Sequence, residues 1–255
     1  MPSLPYSWLL LAGIAVTLTL WSRLAKRDSR LMLIYGAALV SAFVGAKVVY
    51  LLAEGWLFWD SPERWLIWAT GKSVLGALLG GYAGVEIAKR AIGYTAPTGD
   101  WFAIVAPLGI ALGRVGCLLH GCCTGGVCEP AWWTLRDAAG VHRWPAVPVE
   151  LSFNIAAIAL FATLRHAGKL RGQLFHLYLI AYGFFRFAHE FLRATPRLSH
   201  GITGYQIAAL AVAALGTAGF IQRQRKTAAA RSDPLKSASA LERAGGAASV
   251  SSIES

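Results

Sequence analysis

Residues 112–126 read LGRVGCLLHGCCTGG, which sets Arg114 inside an apolar span and follows it with Cys117, His120, Cys122 and Cys123. An arginine in hydrocarbon is expensive unless it lines a cavity or meets a partner, so Arg114 marks a functional site. A second, Arg186, lies in another apolar span, YGFFRFAHEFLR at residues 182–193. These two spans decide the fold, because the rest of the chain repeats their character. Hydrophobic residues make up 56% of the chain and charged residues 15%, with mean hydropathy +0.50, which does not suit a soluble globular domain. Roughly 20 apolar residues cross a bilayer as a helix. Such runs occur at about residues 6–22, 31–53, 71–88, 101–119, 147–164, 172–192 and 201–221. They are continuous rather than alternating, which excludes a closed barrel. The expectation is an all-α, polytopic integral membrane protein of about seven transmembrane helices, with a single domain over residues 1–221. Residues 222–255 are rich in Ala, Ser and charge and contain no aromatic residue, and are expected to form a disordered cytoplasmic tail.

The net charge of +11 suggests nucleic acid only until its distribution is examined. With the N-terminus outside, the inner segments hold Arg23, Lys26, Arg27, Arg30, Lys89, Arg90, Arg165, Lys169, Arg171 and six basic residues beyond Gln222. The outer loops hold Arg64, Arg136, Arg143, Arg193 and Arg197. Fifteen against five is the positive-inside pattern, so the N-terminus is expected outside and the C-terminus in the cytoplasm. No nucleic-acid partner is expected; the basic ends face membrane lipid. The basic residues of the first span follow the apolar run instead of preceding it, which reads as a retained helix and not a signal peptide.

Given this topology, each intramembrane polar residue has a depth. Lys47, Arg114 and Arg186 each fall roughly 9 Å below the outer boundary by helix rise. Tyr6, Lys72 and Glu150 begin spans that enter from outside, and His120 and Glu190 lie near outer ends. Only Glu86 falls in the inner half, where Lys89 and Arg90 can pair with it. Such clustering in one leaflet reads as a polar cavity open to the outside, whose Lys47, Arg114 and Arg186 suit a phosphate, arginine binding it bidentately. The competing reading is snorkelling or buried ion pairs that only join helices. Tyr178, Tyr182, Arg186 and Glu190 recur every four residues and form one stripe, on which Arg186 and Glu190 can pair. Gly76, Gly80 and Gly84 have the spacing of close helix packing. Gly113 and Gly116 flank Arg114 and serve either ligand access to backbone or packing.

Cys117, Cys122, Cys123 and Cys128 lie within twelve residues of one another, with His120 among them. Their spacing is not a usual zinc pattern, and adjacent cysteines suit one tetrahedral site poorly, so no metal is expected. A disulfide from Cys128 to Cys122 or Cys123 is compatible with an outward-facing segment, and Cys117 reads as a small packing residue.

With these blocks in view, the chain resembles the prolipoprotein diacylglyceryl transferase family over about residues 5–221. The resemblance rests on GAKVVYLL (45–52), GKSVLGALLGG (71–81), GRVGCLLHGCCTGG (113–126) and YLIAYGFFRFAHEFLR (178–193). Gly113, Arg114, Gly116, Gly121 and Gly125 match the family signature, and Tyr182, Gly183, Arg186, Glu190 and Arg193 match its last block. The resemblance implies a bacterial inner-membrane enzyme that moves the sn-1,2-diacylglyceryl group of phosphatidylglycerol to the thiol of a lipobox cysteine in prolipoproteins, without metal or diffusible cofactor. It implies catalytic roles for Arg186, Glu190, Tyr182 and His120, and substrate binding by Arg114, Lys47, Tyr6, Gly113, Gly125 and Glu150. The chain departs from the family where Leu75 takes the place of a histidine, and where Cys117, His120 and Cys122 replace asparagine, asparagine and glutamate. The external loop at about 120–146 is short, and residues 145–150, PAVPVE, follow the fifth-span entry loosely while keeping Glu150. A subgroup with Gly-Cys-Cys in the signature resembles the chain here. The general base stays open among Glu190, His120 and His189. The alternatives are a paralogue with a different acceptor and a lipid-binding or lipid-transporting membrane protein without chemistry.

Overall fold

Glycines at intervals of four let two helices touch backbone to backbone, and here they set the first packing unit. A computed structural model describes residues 4–26, 28–198 and 201–232. Its long helices are α1 (Leu4–Ala25), α2 (Arg30–Ala53), α4 (Val74–Ala91), α5 (Gly99–His120), α6 (Ala146–His166), α7 (Leu174–Glu190) and α8 (Gly204–Ser232). Each coincides with one apolar run of the sequence. Between α2 and α4 lie a 3-10 turn, Gly55–Phe58, and the short α3 (Arg64–Thr70). Between α5 and α6 lies a small antiparallel hairpin, β1 (Leu135–Arg136) and β2 (His142–Arg143). Of the long helices, α2, α5, α6 and α8 are long and apolar enough to cross a membrane. The 17-residue α7 carries buried Arg186, His189 and Glu190, so its polarity is spent inside the bundle. Helix α4 ends in Glu86, Lys89 and Arg90, of which Lys89 Nζ sits 3.6 Å from Glu86.

Helix α4 packs along α2. A Cβ on Gly76 would overlap the carbonyl oxygen of Gly45, and one on Gly80 would overlap that of Ser41. The small-residue spacing is therefore a packing device, as its spacing predicted. Gly80→Val is expected to force these helices apart and to reduce the folded protein recovered in detergent severely, while Gly109→Ala, where an added methyl meets open space, leaves recovery unchanged. Size-exclusion profiles of the two variants check this.

Around that pair, α1 joins α5, α5 joins α6 and α7, and α7 packs closely on α8. A shared core contains Trp21, Ile34, Tyr35, Leu75, Phe102, Tyr178, Leu179, Tyr182 and Val212. Its polar atoms are satisfied locally: Trp21 Nε1 donates to the Leu31 carbonyl at 2.7 Å, and the Tyr35 hydroxyl to Thr17 Oγ1 at 2.7 Å. Helix α8 continues to Ser232, about ten residues beyond its apolar run, so the helix outlasts the boundary expected at residue 221. Ala, Gln, Lys and Arg there are strong helix formers, which explains the extension. The expected tail from 233 to 255 lies outside the described residues.

Candidate active site

At the end of the bundle that carries α3 and the hairpin, α5, α6 and α7 each contribute charge to one buried cluster. Glu150 opens α6 and is fully buried. Its Oε1 accepts from Arg114 Nη2 of α5 at 2.9 Å and from the Tyr182 hydroxyl of α7 at 2.7 Å. Its Oε2 lies 3.7 Å from Arg193 Nη1. One turn along α6, Asn154 Nδ2 donates to the Glu150 carbonyl at 2.8 Å, and Asn154 Oδ1 accepts from the Tyr178 hydroxyl at 2.9 Å. On α7 the pair expected from the four-residue stripe is formed, with Arg186 Nη2 2.7 Å from Glu190 Oε2. Glu190 Oε1 accepts from the Thr195 hydroxyl at 2.5 Å, and Arg193 Nε lies 3.7 Å from Glu190 Oε2.

The cluster thus sets three guanidinium groups against two carboxylates. Its arginines also keep donors in reserve: Nε of Arg114 and Nε and Nη1 of Arg186 are buried without a hydrogen bond to protein, while Nε and Nη1 of Arg193 face Glu190 and Glu150 at 3.7 Å. Buried donors are almost always paired, so a group of them beside excess positive charge is a place prepared for an anion. Arg114, Arg186 and Arg193 line a cavity of about 1020 Å³. Gly113, His120, Cys117, Cys122, Cys123 and Lys72 line the same end. Further along, its walls include the apolar Ala46, Leu75, Leu78, Phe102 and Val105, and beyond them Glu86, Lys89 and Arg223. A cationic head region continuous with an apolar trough fits a phospholipid.

The hairpin segment closes one side. The Gly126 amide donates to the Leu192 carbonyl at 2.8 Å, and Gly125 bridges to Arg193. A Cβ on Gly125 would overlap the Trp144 carbonyl oxygen, so only glycine lets this strand pass between Trp144 and Arg193. Trp144 Nε1 donates to His189 Nε2 at 3.1 Å, which occupies that ring in holding the loop.

Residues 4–222 match the family described as prolipoprotein diacylglyceryl transferase. The chain belongs to that family. Among its relatives is the phosphatidylglycerol–prolipoprotein diacylglyceryl transferase of Dehalococcoides mccartyi, 32% identical over 198 residues, covering 74% of this chain and 75% of the relative. The enzyme of the same name from Chromobacterium violaceum is 30% identical over 227 residues, covering 74% and 78%. Clostridium perfringens has one numbered 2 that is 29% identical over 175 residues, covering 64% and 66%.

Within this transferase-family chain the expected site residues separate into three groups. Arg114, Arg186, Gly113 and His120 reach the cavity wall. Glu150, Tyr182 and Glu190 stand behind the arginines, buried to 1% exposure or less, and hold them in place. Lys47 is elsewhere: its Nζ donates to the carbonyls of Trp68 and Gly71 at 2.8 Å each, and to that of Ala69. It ties α2 to the end of α3 and is absent from the cavity wall, so its contacts are with backbone where phosphate binding was expected. Lys47→Gln is expected to cost about 2 kcal/mol of stability while leaving turnover within about threefold of the unmodified protein; a thermal-melt comparison beside an activity assay checks both. Tyr6 lies on α1, but its side chain falls outside the described residues.

The sequence left the state of the cysteines open. All four are free thiols, so no bridge joins Cys128 to Cys122 or Cys123. The sulfurs of Cys117, Cys122 and Cys123 lie within 4.8 Å of one another, so Cys117 joins a cluster instead of packing alone. Sequence reasoning set Tyr178 in the α7 stripe, counted Arg193 among the outer-loop charges while matching it to the family's last block, and passed over Asn154 and Thr195. Asn154 and Arg193 had readable signals: Asn154 stands four residues after Glu150 in an apolar helix, and Arg193 seven after Arg186. Thr195 had none, because its contact depends on the chain turning back after α7.

Proposed function

We propose that this chain is a phosphatidylglycerol–prolipoprotein diacylglyceryl transferase of the bacterial inner membrane, acting on a lipobox cysteine at the outer leaflet. The observation that carries the reading is the set of unpartnered arginine donors at the head of an apolar cavity. All seven long helices cross the membrane, the N-terminus lies outside, and the hairpin end faces outward, in keeping with the charge asymmetry of the loops. Residues 1–221 act as the transferase domain. The phosphate of the donor lipid binds Arg114, Arg186 and Arg193, and its single negative charge offsets the excess of the cluster. The acyl chains lie along Leu75, Leu78 and Phe102. The acceptor sulfur attacks the glyceryl carbon, the carbon–oxygen bond to phosphate breaks, and glycerol phosphate leaves. The arginines hold the charge that grows on that oxygen, which is electrostatic stabilisation aimed at the transition state. Tyr182, Glu150 and Glu190 position the arginines, and His120 at the cavity wall receives or relays the thiol proton.

A paralogue with the same donor and another acceptor is the second reading, and Leu75 favours it: the residue is apolar and 1% exposed where the family resemblance places histidine. Cells whose own prolipoprotein transferase is depleted separate the two. Expression of this chain is expected to restore diacylglyceryl-modified lipoprotein in their membranes. Unmodified prolipoprotein accumulating beside well-expressed protein would remove the lipobox acceptor from the account.

A further inference from the structure

The three cysteines that converge at the cavity wall are not used by the arginine cluster, yet they sit against it. Cys117 lies in the last turn of α5, and its Sγ is 3.7 Å from Arg114 Nη1. Helix α5 then closes on itself: Gly121 takes φ +68°, and the Cys122 amide donates to the Cys117 carbonyl at 3.1 Å. Cys123 follows at φ +62°, a left-handed conformation that non-glycine residues rarely hold and that costs free energy. These two left-handed residues bring adjacent cysteines onto one side, which sequence spacing alone argued against. All three Sγ atoms lie within 4.8 Å of one another. Zinc–sulfur bonds of about 2.3 Å in tetrahedral geometry set sulfurs about 3.8 Å apart, so a small contraction would complete a three-sulfur site.

We propose that Cys117, Cys122 and Cys123 bind one zinc ion, and that its fourth position takes the thiol of the acceptor cysteine. This rests on the reading of the chain as a diacylglyceryl transferase. Three protein ligands with one open position is the arrangement of a catalytic zinc, and a thiol bound there is deprotonated. Three thiolates and Zn²⁺ carry a net charge of −1, which complements the Arg114 guanidinium beside them. The acceptor thiol gives up its proton to His120 at the cavity wall, which passes it to solvent. Its sulfur then forms the bond to the glyceryl carbon, and the leaving oxygen takes the electron pair of the broken carbon–oxygen bond. Glycerol phosphate departs as a dianion held by Arg114 and Arg186. This supplies an activated nucleophile in a chain that has Leu75 in place of the family's histidine.

The test uses full-length protein purified under reducing conditions with zinc supplied. Metal analysis is expected to find one zinc per chain, lost in Cys117→Ser, Cys122→Ser and Cys123→Ser and kept in Cys128→Ser. Protein loaded with cobalt(II) is expected to show a sulfur-to-cobalt absorption band that shifts on adding a lipobox peptide, and stays unmoved when the peptide's cysteine is serine. Zinc content no higher than in the triple serine variant, or a disulfide among these three residues in the native protein, would overturn the site. Bound zinc with a cobalt band indifferent to the peptide would overturn the thiol-activating role. A peptide-responsive band in protein that transfers nothing from phosphatidylglycerol would uphold the thiol site and count against the lipid reading alone.

Discussion

Arg186→Ala is expected to reduce transfer by about 10³-fold or more while the protein still inserts and purifies. Arg186 holds Glu190 through one terminal nitrogen, and its Nε and other terminal nitrogen are buried without a protein partner. If those donors exist for the phosphate, their loss is felt most where charge develops on the leaving group, so kcat falls more than KM rises. Arg186→Lys should recover only part of the activity, because an ammonium is a point charge and cannot make two parallel bonds to phosphate oxygens. Initial rates over a range of lipid concentrations, at matched protein levels, check both variants. Near-normal kcat in Arg186→Ala would leave the residue as a mere partner of Glu190.

Glu150→Gln carries the second large effect, and it falls on stability as well as activity. The carboxylate accepts from Arg114 and Tyr182 and lies near Arg193, with no exposure to solvent. Removing one partner of a buried ion pair leaves the other uncompensated, at a cost of about 3–5 kcal/mol. The excess positive charge of the cluster rises at the same time, which drives the arginines apart. Glu150→Gln is therefore expected to melt well below the unmodified protein and to lose transfer. The double variant Arg114→Met with Glu150→Leu removes both charges together, and is expected to regain much of the stability and none of the transfer. Equal stability in all three proteins would mean that the pair does not hold α5 against α6; recovered transfer in the double variant would remove Arg114 from the phosphate site.

The helices were legible because hydrocarbon thickness fixes the length of an apolar run, and the α2–α4 packing because small residues recur at one turn's spacing. Arg114 and Arg186 were legible for a related reason: a charge in such a run stands out, and it needs a cause. Which charge meets which was only half visible. The pair Arg186 with Glu190 follows from one helix's geometry. Arg114 with Glu150 joins residues thirty-six apart on two helices, and no local rule selects that partner. Lys47 shows the reverse difficulty. Its depth matched that of the arginines, but its ammonium turns to the carbonyls at the end of α3, a contact set by how the α2–α4 connection folds back. The convergence of Cys117, Cys122 and Cys123 was missed because spacing was weighed with ordinary backbone, while Gly121 and Cys123 both adopt left-handed conformations. The end of α8 was misplaced because apolar character, not helix propensity, was used to mark it.

The most direct measurement follows both halves of the donor lipid. Phosphatidylglycerol labelled in its acyl chains and separately in its glycerol headgroup is incubated with the purified protein and a lipobox peptide, beside the Arg186→Ala variant. The account predicts acyl label on the peptide cysteine and an equal amount of headgroup label released as glycerol phosphate, both absent with Arg186→Ala. Bound lipid that releases neither label, or equal turnover in the variant, would contradict it.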